Sequence, residues 1–223
     1  MKVIGVIPAH NEVKTIKEII KSVKPYCDSI LVVLSKRSSD GTREILDQTK
    51  TAYIIDDGKG KGNGLRCAIN KISEGIIVFF DADGSHVAKD IPAVVKPIKE
   101  GIADMVIASR FMGGSMELHG DFSKFVRMFL AMSIAQIINW RFNTTIGDTQ
   151  NGFRAIRSDV AKKLELQSNI FDIETEMVMK CYKKGYRIVE VPSRELKRKH
   201  GQSGIKIWKM GWVYLWRVIK NLF

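Results

Sequence analysis

The chain has 223 residues, of which 45% are hydrophobic and 27% are charged, the balance of a globular protein with one sizeable core. Its formal net charge of +12 predicts an anionic partner, namely a phosphorylated small molecule, an anionic membrane surface or nucleic acid. Three widely spaced cysteines provide neither a disulfide framework nor a zinc cluster, and they fit a reducing compartment. No apolar stretch reaches the roughly 18–20 residues that span a bilayer, and the strand-like segment directly after Met1 predicts a chain without a signal peptide.

The first half of the chain alternates between strand-like and helix-like segments. The predicted strands are residues 3–7, 29–34, 52–55, 76–80 and 104–108, and the predicted helices between them are residues 13–23, 42–48, 62–73 and 91–100. This alternation predicts βαβ units and a mostly parallel, Rossmann-like α/β sheet flanked by helices. After residue 110 the sequence predicts helices at 124–141 and 171–184 and a strand at 187–191. We expect one domain over residues 1–204, followed by a basic, aromatic helix over residues 205–223.

Two aspartates directly follow the most apolar predicted strand. Residues 76–80 are all β-branched or aromatic, which indicates a strand buried on both faces, and Asp81 and Asp83 stand at its carboxyl end. Open α/β sheets bind their ligands at this edge. Carboxylates spaced i and i+2 can hold a hard divalent cation that also binds a diphosphate. An acidic strand-ending turn at Gly84 is the simpler alternative.

Two further loops belong to the same predicted edge. Residues 6–12 end the first strand at Pro8 and continue with His10 and Glu12, which either line a site or begin the next helix. Residues 59–66 are rich in glycine and basic residues and lead into a helix, an arrangement that suits a phosphate but also describes a solvated turn. The loop lacks the spacing of a P-loop, so a P-loop NTPase is disfavoured.

Read together, the motifs resemble those of inverting family 2 glycosyltransferases of the GT-A fold, especially dolichyl- or polyprenyl-phosphate sugar synthases. The resemblance extends over most of the chain and keeps the family's order. It is carried by residues 6–12, 38–42, 59–63, 81–84, 109–111, 147–154, 190–192 and 198–203.

The resemblance implies an activity and a set of site residues. The activity is transfer of a sugar from a UDP- or GDP-linked donor to dolichyl or polyprenyl phosphate, which makes a lipid-linked sugar donor. The implied nucleotide-sugar ligands are Pro8, Ala9, His10, Glu12, Lys61, Asp81, Ala82, Asp83, Arg110 and Arg198, with Asp81 and Asp83 also holding Mg²⁺ or Mn²⁺.

Three residues are implied to act at the reacting centre. Asp148 matches the acidic position that faces it, and Arg110 and Arg198 match the phosphate-binding arginines. A phosphate monoester with a second pKa of about 6 is largely ionised at neutral pH, so we expect Asp148 to orient groups and not to remove a proton.

The chain departs from the family pattern at two places. Ser35 and Lys36 stand where the family usually has acidic residues, one of which contacts the nucleobase, so the choice between UDP and GDP stays open. Gly204 stands where a lysine often follows the Gly-x-Ser of the family, and Lys206 lies two residues further on.

The predicted helices at 205–223 and 124–141 carry the expectation of a membrane partner. The first combines three tryptophans with basic residues, which fits an in-plane anchor at the cytoplasmic face of an anionic membrane. The second is apolar with basic ends, and its Arg127 is a candidate for the acceptor phosphate. Ordinary packing or an oligomer interface is the alternative for both helices. Nucleic-acid binding also suits the charge, but no recognisable nucleic-acid module is present, and a soluble acceptor remains open.

Overall fold

Seven strands and eight α-helices build the described part of the chain. The computed structural model describes residues 1–116, 122–200, 216 and 218–221, and of residues 122–124 and 127 it describes the backbone alone. The strands are β1 Val3–Ala9, β2 Ser29–Leu34, β3 Tyr53–Ile55, β4 Ile76–Phe79, β5 Met105–Ser109, β6 Arg154–Arg157 and β7 Ile188–Pro192. The helices are α1 Ile16–Val23, α2 Thr42–Gln48, α3 Lys61–Lys71, α4 Ile91–Lys99, α5 Arg110–Gly113, α6 Phe122–Phe142, α7 Ser158–Lys163 and α8 Ile173–Lys183.

The strands form one sheet in the order β3-β2-β1-β4-β6-β5-β7. Strands β3, β2, β1 and β4 run parallel to one another, and β7 is parallel to β5. Strand β6 runs antiparallel to both β4 and β5. The expectation of a mostly parallel α/β sheet flanked by helices is confirmed. Because β1, β2, β3 and β4 end at the same edge, the polar loops that follow them lie next to one another.

Two hydrophobic layers cover the sheet, one on each face. The apolar run of β4 supplies both, since Ile76, Val78 and Phe80 pack with helices α1, α2 and α4, whereas Ile77 and Phe79 pack with α3, α6, α7 and α8. Alternate residues of a strand point to opposite faces, so a strand in the middle of a two-faced sheet has to be apolar throughout. Each of these fully buried side chains stabilises the fold by about 1.5–3 kcal/mol.

Strand β6 was missed by the sequence analysis because its ends are arginines. The guanidinium of Arg154 is fully buried and donates hydrogen bonds to the backbone carbonyl oxygens of Thr149, Asn151 and Glu174. Burial lowers the pKa of Arg154, although the carboxylates of Glu174 and Asp148 act against that shift. An arginine can lie in a central strand when backbone carbonyl oxygens accept the hydrogen bonds that its guanidinium would otherwise donate to water. No local sequence pattern reveals such partners, because they come from other parts of the chain.

The remaining differences concern the ends of elements and the short helices. Helix α1 starts at Ile16 and not at residue 13, because the Glu12 carbonyl accepts the N–H groups of Thr15 and Ile16 in a turn that precedes it. Helices α5 and α7 were not predicted. No described helix has the length and apolar character that crossing a membrane requires. The predicted helix at 205–223 lies largely outside the described residues, and within it Trp216 is exposed while Val218 is buried.

Candidate active site

A cavity of about 420 Å³ opens at the edge of the sheet where the parallel strands end. Its walls come from the loops after β1, β2, β3 and β4, the start of α3, the loop before β6 and the segment after β7. Ten of the sequence-predicted site residues line it: Pro8, Ala9, His10, Glu12, Lys61, Asp81, Ala82, Asp83, Arg110 and Arg198. Asp148 is not among the lining residues, and the side chain of Arg127 lies outside the described residues.

Asp81 is bound by two groups of this chain. The Lys61 ammonium lies 2.7 Å from its Oδ1, and the imidazole Nε2 of His86 lies 3.4 Å from its Oδ2. Burial alone would raise the pKa of Asp81, but the charge of Lys61 and the contact with His86 lower it well below its usual value. Asp81 is therefore ionised at neutral pH and is paired with Lys61.

Lys61 also bonds a carboxylate that the sequence analysis missed. Its ammonium lies 2.9 Å from Oε1 of Glu174, in the first turn of α8, so one lysine joins the partly exposed Asp81 to a buried carboxylate from another element. Burial would lower the pKa of Lys61, but Asp81 and Glu174 raise it above its ordinary range. A glutamate in the first turn of a helix has a sufficient local explanation in the helix dipole, which is why its role was not visible.

Asp83 is held differently from Asp81. Its Oδ2 lies 2.9 Å from the Arg198 guanidinium, and its Oδ1 accepts the N–H and hydroxyl of Ser85. The segment after β7 reaches this place as a strap, residues 193–200. Its Leu196 N–H donates to the Ser85 carbonyl, and its Lys199 N–H donates to the Asp83 carbonyl. Arg198 thus enters the site from the far end of the sequence.

Arg110 and Asp148 form a buried, two-pronged ion pair. Nε and Nη2 of Arg110 donate to the two Asp148 oxygens at 2.8 and 2.9 Å, and Glu195 lies 3.5 Å from Nη1. Burial would raise the pKa of Asp148, but Arg110 lowers it below its ordinary value. The carboxylate also accepts the N–H groups of Arg110, Gln150 and Asn151. Arg110 lines the cavity and Asp148 does not, so the aspartate stands behind the arginine as seen from the cavity.

The loop before β6 is fixed closely against the aspartates. Glu190 of β7 accepts the N–H groups of Gly147 and Asp148, which anchors the loop from one side. A Cβ at Gly152 would lie 2.6 Å from Oδ2 of Asp81 and 2.8 Å from the Lys61 nitrogen, closer than real Cβ atoms come. Position 152 therefore needs glycine for this approach of the backbone, and no special φ angle is involved.

Glu12 adds a third carboxylate to this wall of the cavity. Burial raises its pKa above the ordinary value, and the charges of Asp83 and Asp81 raise it further. Its Oε2 accepts the Thr15 hydroxyl, which acts in the opposite direction. The shift shows that Glu12 lies close enough to Asp81 and Asp83 to interact with them electrostatically.

The end of the cavity near β2 and β3 holds the first of the two departures from the family pattern, whereas Gly204 lies outside the described residues. Ser35 lines the cavity there, and the nearby carboxylate comes from Asp56, after β3. Asp56 accepts the N–H groups of Lys36 and Gly58 at 3.0 and 2.6 Å, so it also shapes this loop. The sequence analysis did not single out Asp56, since its proximity to Ser35 depends on the pairing of β2 with β3.

The carboxylate oxygens of Asp81 and Asp83 are suitable ligands for a hard divalent cation. Both offer carboxylate oxygens, the ligands that Mg²⁺ and Mn²⁺ prefer, on one turn at the cavity wall. Within the described residues no group of three or more histidine, cysteine, aspartate or glutamate side chains is arranged to hold a metal alone. The remaining ligands would have to come from a bound diphosphate and water.

A mostly parallel sheet with a carboxylate pair and converging cations at its carboxyl edge defines the class of nucleotide-sugar-dependent glycosyltransferases with the GT-A fold. Residues 6–165 match the model of glycosyl transferase family 2, and the chain belongs to this family. The sequence-based expectation of a family 2 glycosyltransferase is thereby confirmed.

Several curated proteins are similar to this chain. An uncharacterised protein of Methanocaldococcus jannaschii is 32% identical over 89% of this chain and 83% of its own length. The glycosyltransferase AglJ of Haloferax volcanii is 28% identical over 88% of this chain and 63% of its own length. An undecaprenyl-phosphate mannosyltransferase of Micrococcus luteus is 25% identical over 91% of this chain and 87% of its own length.

Crystal structures of glucosyl-3-phosphoglycerate synthase from Mycobacterium tuberculosis share the fold. The complex with Mn²⁺, UDP-glucose and phosphoglyceric acid superposes with a TM-score of 0.79 at 18% identity, over 99% of this chain and 79% of that one. The complex with Mn²⁺, UDP and glucosyl-3-phosphoglycerate superposes with a TM-score of 0.77. At this identity the likeness establishes the fold alone.

Proposed function

We propose that this glycosyltransferase moves a sugar from a nucleotide sugar to a polyprenyl phosphate at a membrane surface, with a divalent cation at Asp81 and Asp83. The observation that carries the donor side is the meeting of these two aspartates with Lys61, Arg110 and Arg198 in one cavity. The lipid acceptor is supported by the undecaprenyl-phosphate mannosyltransferase among the relatives and by an apolar surface on α6.

The proposed roles follow from the charges in the cavity. A cation on the aspartates would neutralise the diphosphate as negative charge develops on the leaving group. Arg110 and Arg198 would donate charge-assisted hydrogen bonds to phosphate oxygens, and Asp148 would keep the Arg110 guanidinium in place. In this scheme the Arg198 guanidinium leaves Asp83 and binds a phosphate of the donor instead, and the strap then lies over the bound donor.

The apolar surface is the outward stripe of α6. Phe125, Phe129, Met132 and Trp140 follow one another at helical spacing, and each exposes more than half of its surface. The opposite side of the helix packs into the core through Ala131, Ala135 and Ile138. A stripe of large apolar side chains on the solvent side of an amphipathic helix suits the interface of a bilayer. The net charge of +12 favours an anionic leaflet.

The donor and acceptor can be tested together. Purified protein with Mn²⁺ is incubated with UDP-glucose, UDP-N-acetylglucosamine or GDP-mannose, and with either undecaprenyl phosphate or 3-phosphoglycerate, followed by lipid extraction. We expect labelled sugar in the lipid phase with one donor, and at least a hundredfold less with Asp83→Asn. The exposed Asp159→Asn is the matched control and should transfer normally. Transfer to 3-phosphoglycerate alone would contradict the lipid acceptor, and no transfer from any donor would contradict the proposal as a whole.

The membrane surface has its own test. Sedimentation with vesicles of phosphatidylglycerol and phosphatidylcholine compares the wild type with a variant carrying Phe125→Ser, Phe129→Ser and Met132→Ser. The substitutions should weaken partitioning by about 1–2 kcal/mol for each side chain that enters the apolar layer. Ile102→Ser is the control, since Ile102 is exposed at another place on the surface. Equal binding of the triple variant and the wild type would remove α6 from the membrane contact.

A further inference from the structure

The first turn of α8 places a carboxylate in the cavity wall, and the turn just before that helix places an aromatic ring there. Neither was anticipated from the sequence. Phe171 and Glu174 are three residues apart, both line the cavity, and Glu174 is 3% exposed. Both side chains lie near the Lys61 ammonium, which is 2.9 Å from Oε1 of Glu174 and 6.0 Å from the centroid of the Phe171 ring. An apolar ring face next to a hydrogen-bond acceptor is the combination that suits a sugar, which has C–H faces and hydroxyl edges.

One carboxylate oxygen of Glu174 has a partner within the protein and the other has none in the described part of the chain. Its Oε1 accepts from the Lys61 ammonium at 2.9 Å, whereas its Oε2 is buried and has no hydrogen-bond partner within the described part of the chain. Buried polar atoms are nearly always paired, so such an acceptor in the wall of a binding cavity indicates a group that a ligand brings. The group has to be a donor such as a hydroxyl, because a phosphate would be repelled.

The position of Glu174 in the cavity indicates which part of a nucleotide sugar it would contact. Lys61 contacts both Glu174 and Asp81, the first aspartate of the proposed cation site, and the backbone at Gly152 lies against Lys61 and Asp81. The end of the cavity at Ser35 and Asp56 belongs to other strands, β2 and β3. Glu174 therefore stands beside the expected diphosphate and away from the end where the nucleobase is expected.

We propose that Glu174 is a specificity-determining residue that accepts a hydrogen bond from a hydroxyl of the transferred sugar, with Phe171 covering an apolar face of the same ring. This inference rests on the proposed use of a nucleotide-sugar donor. It predicts that Glu174 contributes to binding of the sugar and not to binding of the nucleoside diphosphate.

The test compares each nucleotide sugar with its own nucleoside diphosphate. UDP-glucose against UDP, and GDP-mannose against GDP, are titrated calorimetrically into the wild type and Glu174→Gln with Mn²⁺ present. We expect the variant to bind the nucleotide sugar about 10- to 100-fold more weakly, as for loss of a hydrogen bond to a charged group. Its affinity for the diphosphate should change less than twofold. Equal weakening of both ligands would overturn the inference, because Glu174 would then only hold Lys61 or contact the ribose.

Deoxy analogues identify the hydroxyl. UDP-glucose lacking the 3-, 4- or 6-hydroxyl is titrated into both proteins. For one analogue the loss of binding affinity should be the same whether the hydroxyl, the Glu174 carboxylate or both are removed. Fully additive losses for every analogue would count against a direct contact. If the wild type binds UDP or GDP but no nucleotide sugar more tightly than its diphosphate, the inference fails while the nucleotide site stands. If it binds no nucleotide at all, the proposed function fails as well.

Two further variants separate this role from a structural one. Glu176→Gln is the matched control, since Glu176 is equally buried on the same helix but accepts the backbone N–H groups of Gln167 and Ser168 and does not line the cavity. It should lower thermal stability and leave the ratio of the two affinities unchanged. Glu174→Asp keeps the charge for Lys61 and withdraws the carboxylate, so it should retain diphosphate binding and lose the preference for the sugar even if Glu174→Gln does not fold.

Discussion

The buried pair of Arg110 and Asp148 gives the sharpest prediction about this protein. Asp148 is 1% exposed and accepts five hydrogen bonds, two from the Arg110 guanidinium and three from backbone N–H groups. In Asp148→Asn the shape is kept, but the amide oxygen can replace only one carboxylate oxygen. If it takes the place of Oδ1, three bonds remain and the amide nitrogen faces the two donors at Oδ2, while the Arg110 charge loses its nearest counterion.

The magnitude follows from the burial of the pair. Removing one partner of a buried ion pair costs about 3–5 kcal/mol, because the other charge stays desolvated. Glu195, 3.5 Å from Arg110, compensates part of that charge and places the expected loss at the lower end. Since a domain is stable by about 5–15 kcal/mol, the variant should still fold at 25 °C. It should bind UDP-glucose more weakly, because a displaced Arg110 no longer faces the cavity.

The assay is urea unfolding followed by circular dichroism, together with a UDP-glucose titration and the lipid-transfer assay. Asp159→Asn is the matched control, because Asp159 also forms a pair with an arginine, at 2.8 Å, but is half exposed. Pairs of that kind contribute about 0.2–1 kcal/mol. A variant Asp148→Asn that unfolds and binds UDP-glucose like the wild type, yet no longer transfers sugar, would refute the positioning role and make Asp148 a general base.

Three other outcomes can be measured with the same protein. Gly152→Ala should reduce binding of nucleotide sugar at least tenfold, since its methyl group would collide with Asp81. Gly147→Ala, whose added methyl group would have its nearest neighbour at 3.5 Å, should bind normally. Equal binding by both variants would show that the backbone at residue 152 moves to accommodate the methyl group. Leu46→Ala, at a fully buried site of α2, should lower the free energy of unfolding by about 2–5 kcal/mol in urea without changing donor affinity; a loss below 1 kcal/mol would show that the core closes over the cavity. The folded pKa values of Asp81 and Asp148 are lowered from 3.8, so the stability they contribute is fully present above that pH and is lost progressively as the pH falls from 3.8 toward the lowered folded values. Urea titrations at pH 7, 4.5 and 3 should show a steep loss only below about 4, by up to ~1.4 kcal/mol per pH unit and group, and a flat profile would contradict the ion pairs.

The first half of the fold could be read from local patterns. Helix α2, Thr42–Gln48, has its predicted bounds, because Asp40 accepts the Thr42 N–H at the start of the helix. Strand β4 was predicted within one residue, since a run of five apolar residues before two aspartates allows little else. The loops after β1 and β4 were expected at one edge, and they line one cavity. In these regions each segment carries the information for its own conformation.

The second half depended on contacts between distant residues. Strand β6 enters the sheet between β4 and β5 with a buried arginine, which is stable only because the carbonyl oxygens of other loops meet its guanidinium. From the sequence, Glu174 is explained as an acidic residue at the start of a helix. Only the structure shows its contact with Lys61, which lies more than a hundred positions earlier in the chain. The expected roles of Asp81 and Asp83 were symmetrical, yet one is held by Lys61 and the other by Arg198.

By itself, the sequence determined the alternation of strands and helices, the acidic and basic loops at strand ends, and the family to which they belong. Apolar periodicity and turn chemistry act between neighbours along the chain, so they can be recognised without a structure. Only the tertiary structure decided which charges meet, that Asp148 stands behind Arg110, and that Glu174 belongs to the cavity. Ion pairing and desolvation depend on distance in space, and folding brings these residues from opposite ends of the chain to within about 3 Å of one another.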